Sequence, residues 1–215
     1  MRAVIPYKKE NAKSRLSSVL DLHEREEFVE LMLKDVFNTL RSAGIDNIDV
    51  LTTRRTSIAP DLDVGIIEDK KGLNEAINQY LASIDEPVLI AMADLPLLTP
   101  CQLIDITEKQ NDVVIVPGKG GGTNIIRIMQ PSGFNVKYYG SSFLNHCAIA
   151  EECGMSVHVY DSFRASTDID EPQDLVELLV HGRGLAKEYI KERFGMRSGK
   201  GRVAILPDAC RIASD

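Results

Sequence analysis

The sequence lacks long apolar runs. No hydrophobic stretch approaches the roughly 20 residues that a membrane-spanning helix needs, and the first residues do not resemble the apolar core of a secretory signal peptide. We therefore expect a soluble cytoplasmic protein. With 215 residues, 44% of them hydrophobic, the chain can bury the core of one domain, or of one domain with an appendage.

Cysteine is also scarce. None of the four cysteines forms a CxxC pair, and none has a zinc-type spacing to histidine. These absences argue against a disulfide framework and against a structural zinc site. We expect Cys101, Cys147, Cys153 and Cys210 to be reduced and mostly buried.

Positive charge is in deficit, since 25 lysines and arginines face 32 acidic residues and the formal net charge is -7. An acidic chain of this kind is a poor candidate for general nucleic-acid binding. The balance still leaves room for a local basic site that binds an anionic small molecule.

Such a basic site follows the first predicted strand, residues 2–6, which a proline ends. A solvated basic loop is one interpretation. The other is a triphosphate site, because loops at the carboxyl ends of strands bind ligands in open α/β sheets. The residues concerned are Lys8, Lys9, Lys13 and Arg15, opposed by the single acid Glu10.

A fully apolar run over residues 88–93 predicts a strand buried on both faces, and it stops at Asp94. Asp94 could simply cap the next helix. However, Thr99 is better placed for the cap, because Pro100 would then occupy the first helical position. We therefore favour a metal ligand for Asp94, at the edge of the sheet where ligands bind.

A second acidic stretch contains Asp168 and Asp170, and the residues after it predict a helix from about 174 to 180. Side chains two residues apart on an extended segment point the same way. Capping of that helix by one of the two acids is the structural alternative. Together with Asp94 they would supply three hard oxygen ligands, which suits Mg²⁺ held by carboxylates and substrate phosphates.

The glycine-rich stretch 118–124 lacks the motifs of the common phosphate-binding loops. No GK[ST] closes it as in a Walker A loop, and no helix follows it as in a dinucleotide fingerprint. Two interpretations remain open. The glycines can serve a tight hairpin between strands, or the loop can wrap a phosphate with the help of Lys119, Thr123 and Asn124.

Two further loops offer polar groups at predicted helix starts. Gly72 precedes Asn74, which can cap its helix or reach a ligand. Gly140 precedes a helix whose N-cap is Ser141 or Ser142, and such an N-terminus is a possible anion site. His146 would lie one turn inside this helix, where a packed or surface role is commoner than a catalytic one.

The predicted elements alternate between strand and helix, including a covering helix over residues 24–43. This indicates an α/β fold with a mixed, mostly parallel central sheet flanked by helices. We predict a domain over residues 1–194. Residues 195–215 would form a tail, with a flexible linker and a short strand that docks on this chain or on a partner subunit.

Together these motifs resemble the 2-phospho-L-lactate guanylyltransferase family of deazaflavin coenzyme F-420 biosynthesis. The resemblance covers residues 1 to about 180. It rests on Val-Ile-Pro-Tyr-Lys (4–8), Ala-Lys-Ser-Arg-Leu (12–16), Gly-Leu-Asn (72–74), Ala-Asp-Leu-Pro-Leu (93–97), Gly-Thr-Asn (122–124), Tyr-Gly-Ser-Ser-Phe (139–143) and Asp-Ile-Asp-Glu-Pro-Gln-Asp-Leu (168–175).

The resemblance implies the nucleotide-diphospho-sugar transferase, or GT-A-like, fold and a homodimer. It implies GTP and 2-phospho-L-lactate as substrates, with Mg²⁺ on Asp94, Asp168 and Asp170. The phosphorylated acid would be held by Thr123, Gly140 and Ser142, with Asn74 and Asn124 as further substrate-binding residues. The wider superfamily has a glycine-rich loop after its first strand, which this chain lacks.

The hypothesis is direct transfer, in which the phosphate of 2-phospho-L-lactate attacks the α-phosphorus of GTP and pyrophosphate leaves. Lys8, Lys13 and Arg15 would stabilise the leaving pyrophosphate. Guanine is implied only by the resemblance. The alternatives are transfer to phosphoenolpyruvate, a sugar phosphate or a molybdopterin-type acceptor, and a nucleotide sensor without catalysis.

Overall fold

A seven-stranded sheet forms the middle of the structure, a computed structural model that describes residues 1–58, 60, 62–197 and 203–207. Across the sheet the order is β3-β2-β1-β4-β6-β5-β7, and only β6 is antiparallel to its neighbours, β4 and β5. This is the mixed, mostly parallel sheet that the sequence predicts. In chain order the strands are β1 (Arg2–Tyr7), β2 (Ile48–Thr52), β3 (Gly65–Glu68), β4 (Val88–Ala91), β5 (Val113–Pro117), β6 (Thr123–Ile128) and β7 (Val157–Val159).

Six helices cover the two faces of this sheet: α1 (Leu22–Ser42), α2 (Leu73–Ala82), α3 (Pro100–Glu108), α4 (Ser142–Glu152), α5 (Asp174–His181) and α6 (Leu185–Arg193). Alternate residues of a strand face opposite sides. Leu89 and Ala91 of β4 therefore pack with α1, α3, α5 and α6, while Val88 and Ile90 pack with α2 and α4. Apolar side chains cover both faces of β4, which explains its unbroken apolar sequence.

The helix after β4 begins where the sequence predicts. Thr99 is the N-cap of α3, and its hydroxyl accepts from the backbone N–H of Gln102 in a capping box, with Pro100 in the first turn. The capping role therefore belongs to Thr99. Asp94, in the loop before it, is left available for another purpose.

Strand β6 is buried along its whole length, because it lies between β4 and β5 and is covered on both faces. Arg127 is fully buried there, and its guanidinium donates to the carbonyls of Lys109 and Asn111 at 2.7 and 2.8 Å. The arginine thus satisfies carbonyls just beyond the end of α3.

The cysteine prediction was wrong for part of the chain. Cys101 and Cys153 are exposed, and Cys147 is partly exposed. Both exposed thiols lie at helix ends, Cys101 in the first turn of α3 and Cys153 directly after α4. Cys210 lies outside the described residues. Within the described ranges, no helix has the length and apolar character needed to cross a membrane.

The predicted tail contains a small second sheet, in which β8 (Phe194–Arg197) pairs with β9 (Ala204–Pro207) in antiparallel fashion. The predicted tail, which was expected to contain a flexible linker, therefore begins as a paired strand, and residues 198–202 lie outside the described residues. Strand β9 docks on this chain, against α5. The boundary between residues 194 and 195 stays a prediction.

An aspartate on α1 caps the N-terminus of α6. Asp35 of α1 accepts from the backbone N–H groups of Leu185 and Ala186 at 2.7 and 3.0 Å, at the start of α6. The N-cap position of α6 is Gly184, and a Cβ there would lie 2.2 Å from an Asp35 oxygen. Glycine therefore leaves room for the carboxylate, and the two helices are joined at this point.

Replacing Asp35 with alanine should lower the free energy of unfolding by about 1–3 kcal/mol, because the backbone N–H groups of Leu185 and Ala186 lose their acceptor. Asp46→Ala is the control, since Asp46 is 73% exposed and pairs with the surface Arg41. Asp46→Ala should lower the free energy of unfolding by less than about 0.5 kcal/mol. Urea unfolding measures both, and equal effects would contradict the capping role.

Candidate active site

Three acids meet at the carboxyl edge of the sheet. Asp94 follows β4, and Asp168 and Asp170 lie in the segment that leads into α5. The two segments are joined by the backbone, since the N–H of Ile169 donates to the carbonyl of Asp94 at 3.1 Å. One oxygen from each carboxylate lies within 4.8 Å of the others. The sequence-predicted metal ligands are therefore brought together.

The free oxygens of this cluster fit a divalent cation. Asp94 Oδ1 and Asp168 Oδ1 are buried, and neither has a hydrogen-bond partner among the described residues. Burial raises the pKa of Asp168, and the charges of Asp94 and Asp170 raise it further. Buried carboxylate oxygens without partners are costly, and hard oxygen ligands are those that Mg²⁺ prefers.

Lys13 is the cation nearest to these acids. Its ammonium lies 2.5 Å from Asp94 Oδ2 and also contacts Asp170 Oδ1, and its side chain is only 10% exposed. Burial lowers the pKa of Lys13, but the charges of Asp94 and Asp170 more than compensate, so its pKa is raised. The lysine is therefore charged at neutral pH.

The backbone of this loop is set in an uncommon conformation. Lys13 has φ 51° and ψ 46°, and Asn11 has φ 54°, both in the left-handed region that residues with a Cβ rarely adopt. The loop is fixed by the Arg25 guanidinium, which donates to the carbonyl of Ala12 at 2.8 Å. Strain of this kind concentrates at functional sites.

The other predicted basic residues take different positions. Arg15 is 67% exposed and lies 3.5 Å from Asp170 at the rim of the cluster. Lys8 is exposed and lines a cavity of about 130 Å³ together with Lys13 and Asp94. Lys9 turns away and pairs with Glu30 at 2.6 Å. Lys8, Lys13 and Arg15 thus border the acids, whereas Lys9 supports α1.

The glycine-rich stretch makes the hairpin between β5 and β6. Gly120 and Gly121 have φ values of 68° and 86°, which glycine adopts without strain. Asn124 turns inward and donates to the carbonyl of Ala165 at 3.1 Å, and a Cβ on Gly118 would lie 2.2 Å from its oxygen. The hairpin interpretation is confirmed. Phosphate binding by this stretch stays a prediction.

Asp174 is a site residue that sequence reasoning did not single out. It accepts from the backbone N–H groups of Asp170 at 2.9 Å and Glu171 at 2.8 Å, and it pairs with Lys119. It therefore joins the hairpin to the acidic segment. Its position four residues after Asp170, at the start of a helix, was the available signal.

A cavity of about 210 Å³ opens between these loops. It is lined by Asp168, Asp170 and Asp174 on one side and by Arg15 and Lys119 on the other. A larger groove of about 670 Å³ between α1, α3 and α6 contains none of the predicted site residues. The smaller cavity is therefore the better candidate for binding an anionic substrate at the acids.

Thr123 and Ser142 are nearly buried and bond to protein. The Ser142 hydroxyl donates to Thr123 Oγ1 at 3.1 Å, and Thr123 Oγ1 lies 3.0 Å from His146 Nδ1. The backbone N–H of Lys137 donates to His146 Nε2 at 2.9 Å, which places the imidazole proton on Nδ1. Contact of these hydroxyls with a substrate stays a prediction.

His146 takes the packed role, one of the two that the sequence favours over catalysis. It is fully buried, and burial lowers its pKa to about 4. Its ring also contacts Tyr138 edge to face, with centroids 4.9 Å apart. The neutral imidazole therefore fixes the loop before α4 against the start of β6.

Asn74 has a similar supporting contact. Its side-chain oxygen accepts from the backbone N–H of Tyr138 at 2.7 Å, and the N-cap of α2 is Gly72. The capping interpretation for Asn74 was wrong, because α2 begins one residue before it. Gly140 adopts φ 81° ahead of α4, whose N-cap position is Ser141. Ligand contacts of Asn74 and Gly140 stay predictions.

Comparison with known proteins places this site in a family. A family model described as "Guanylyl transferase CofC like" matches residues 1–202. The chain belongs to this CofC-like guanylyl transferase family. The expectation drawn from the sequence motifs is thereby confirmed.

The relatives of this CofC-like chain match over nearly their whole length. The 2-phospho-L-lactate guanylyltransferase of Methanosarcina mazei is 56% identical over 207 residues, covering 96% of this chain and 100% of that protein. The protein of the same name from Methanosarcina acetivorans is 57% identical over 206 residues, covering 96% and 99%. That from Methanocella arvoryzae is 43% identical over 212 residues, covering 99% and 95%.

Solved structures confirm the fold of the CofC-like chain. A candidate nucleotide-diphospho-sugar transferase from Desulfovibrio desulfuricans has a TM-score of 0.70 at 14% identity, covering 90% of this chain and 96% of that one. A nucleotidyl transferase from Methanothermobacter has a TM-score of 0.60 at 14% identity, covering 89% and 98%. The predicted nucleotide-diphospho-sugar transferase fold is therefore correct.

His146 should make the stability of this CofC-like protein depend on pH. Because its folded pKa of about 4 lies below the ordinary value of 6.5, the unfolded chain binds more protons between these values. The stability that His146 contributes is complete above pH 6.5 and is lost as pH falls to 4. The loss should amount to roughly 3 kcal/mol.

Urea unfolding of His146→Gln across this pH range measures the effect. Glutamine does not titrate, so the stability of this variant should fall less steeply on acidification than that of the wild type. His23→Gln is the matched control, since His23 is exposed on α1. A wild-type slope in His146→Gln would contradict the buried neutral imidazole.

Proposed function

We propose that this protein transfers GMP from GTP to 2-phospho-L-lactate, giving lactyl-2-diphospho-5'-guanosine and pyrophosphate, in deazaflavin coenzyme F-420 biosynthesis. The observation that carries the proposal is the 56–57% identity to guanylyltransferases of that name over nearly the whole of both chains. The acids and basic residues at the carboxyl edge of the sheet support it, because two polyanions must meet during the transfer.

The reaction forms a bond between a phosphate oxygen of 2-phospho-L-lactate and the α-phosphorus of GTP. The bond from that phosphorus to the departing pyrophosphate breaks, and its electrons leave with the pyrophosphate. The acceptor phosphate is already an anion near neutral pH, so no general base is required. This agrees with the site, where His146 is bonded to Thr123 and Lys137 rather than available for proton transfer.

Catalysis then depends on bringing anions together and neutralising charge. Lys13 lies beside the acids, and Arg15 is exposed enough to swing toward a bound triphosphate. Together with Lys8 they would neutralise the charge that develops on pyrophosphate. Arg15 can bind phosphate as a bidentate fork, whereas the lysines act as point charges.

Asp94, Asp168 and Asp170 would hold a magnesium ion, which when bound neutralises donor phosphate charge. The unpartnered oxygens of Asp94 and Asp168 support this assignment. Asp174 keeps Asp170 in place through the backbone N–H of Asp170, and it positions Lys119 across the cavity.

The acceptor would bind between the hairpin and the loop before α4. These two loops meet closely, since a Cβ on Gly121 would lie 3.0 Å from the Ser141 hydroxyl. Gly140, Ser142, Thr123 and Asn124 belong to these segments, and Asn74 holds the loop before α4 from the α2 side. Backbone N–H groups in such loops bind phosphates and carboxylates well.

The assembly that we propose is a cytoplasmic homodimer. The cytoplasm is where the donor GTP is made and used. Exposed apolar side chains on α5, on β8 and directly before β9 support self-association, namely Val180 at 49%, Met196 at 51% and Val203 at 39% exposure.

The activity is tested by pyrophosphate release with Mg²⁺, one nucleotide and one acceptor at a time. GTP, ATP, CTP and UTP are each combined with 2-phospho-L-lactate, phosphoenolpyruvate or glucose 1-phosphate. We expect release that requires both GTP and 2-phospho-L-lactate. Release with glucose 1-phosphate alone would identify a sugar-phosphate enzyme, and silence with all acceptors would favour a nucleotide sensor.

Asp94→Asn should lower turnover at least about 100-fold, because the site loses a charged ligand that neutral asparagine cannot replace. The protein should still unfold cooperatively. Asp85→Asn makes the same charge change at the exposed, opposite end of β4 and should retain wild-type turnover. Near-normal turnover in Asp94→Asn would exclude the role proposed for Asp94.

A further inference from the structure

Lys13 occupies the position of a counter-ion within the acidic cluster. Its ammonium bridges Asp94 and Asp170, two of the three carboxylates whose oxygens come within 4.8 Å of one another. The side chain is 10% exposed, so solvent screens these contacts little. One ammonium thus balances part of a local charge of three carboxylates.

The remaining basic side chains near the cluster contribute less. Arg15 approaches Asp170 from the solvent at 3.5 Å and is 67% exposed. Lys119 reaches Asp174 rather than any of the three clustered acids. Among the described residues near the cluster, Lys13 is therefore the buried positive charge that holds the acids together.

The backbone of the loop positions the Lys13 ammonium between Asp94 and Asp170. Lys13 has a left-handed backbone, and its carbonyl accepts from the N–H of Leu16 at 2.9 Å. Leu16 itself is fully buried in the core. The unfavourable conformation is thus maintained by the buried Leu16 on one side and by the contacts of the ammonium on the other.

We propose that Lys13 is the resident counter-ion of the three carboxylates and that a divalent cation binds there only in competition with it. The inference rests on the metal site of the proposed function and adds a regulatory role for Lys13. When the cation binds, Lys13 gives up Asp94 and Asp170 and becomes free to contact the donor phosphates. Binding of the ion and binding of the triphosphate are therefore coupled.

The competing interpretation gives Lys13 a purely structural role. If its ammonium only holds the acids in the geometry that an ion needs, removing it lets the acids separate and weakens ion binding. If it competes, removing it strengthens ion binding. The sign of the change in affinity separates the two.

The experiment is a titration of the full-length, nucleotide-free protein with Mn²⁺, which serves as the probe, followed by electron paramagnetic resonance. Lys13→Gln should bind Mn²⁺ at least about tenfold more tightly than the wild type, a typical size for coupling between sites. Lys9→Gln is the matched control. It removes a lysine from the same loop, but Lys9 pairs with Glu30 outside the cluster, so affinity should stay unchanged.

Thermal unfolding gives a second readout. In EDTA, Lys13→Gln should unfold at a lower temperature than the wild type, because three clustered, partly buried acids lose their counter-ion. Mn²⁺ should raise the melting temperature of the variant more than that of the wild type, since tighter binding stabilises more. Lys13→Arg keeps the charge and should bind Mn²⁺ as the wild type does.

Equal or weaker Mn²⁺ binding by Lys13→Gln overturns the proposal, as does the absence of binding in every variant. If Lys13→Gln does not fold, Lys13→Met is titrated with Mn²⁺ in its place. Neither GTP nor 2-phospho-L-lactate is present in these measurements. A tenfold gain in Mn²⁺ affinity would therefore support the role of Lys13 even if the test of nucleotides and acceptors gave no pyrophosphate release. Equally, unchanged Mn²⁺ affinity would not bear on the proposed transfer reaction.

Discussion

Repulsion among three carboxylates is the constraint around which this molecule is organised. Asp94 lies far along the chain from the segment that carries Asp168 and Asp170. Like charges whose oxygens lie within 4.8 Å repel one another. A backbone hydrogen bond from Ile169 to Asp94 holds the segments together. Lys13 supplies the opposite charge, at the cost of an uncommon backbone conformation. Each of these features serves to keep negative charge concentrated where another anion must arrive.

Much of the fold follows from local sequence. The apolar run before Asp94 and the Thr99-Pro100 cap indicate the buried strand and the helix after it, and both are found. Asp94 follows a parallel strand, so its place at the ligand-binding edge of the sheet is predictable. Asp168 and Asp170 lie in the loop between β7 and α5, and the folded chain brings them to that edge. What local pattern could not give was the burial of β6, which depends on the strands on either side of it.

The supporting residues of the site were harder to predict, for a physical reason. Asp174 acts through the backbone of Asp170 and the side chain of Lys119, 55 residues earlier. His146 acts through Thr123 and the backbone of Lys137. Such contacts join segments that only the completed fold brings together. Asp174 lies within the acidic motif 168–175, but that motif does not show which residues Asp174 contacts. The left-handed conformation of Lys13 could not be predicted from the sequence either, because lysine is not a residue that favours this conformation.

The antiparallel β6 has a consequence for how this enzyme family could change its acceptor. Strand β6 returns directly beside β4, so Asn124 lies next to Met92. The backbone N–H of Met92 donates to the carbonyl of Asn124 at 3.0 Å. One short hairpin thus delivers side chains to the site without a crossover helix. Insertions in its turn would extend into solvent and cost little in folding. In the acceptor site that we propose, changes in this turn would alter acceptor preference while the sheet, the helices and the three acids stay as they are.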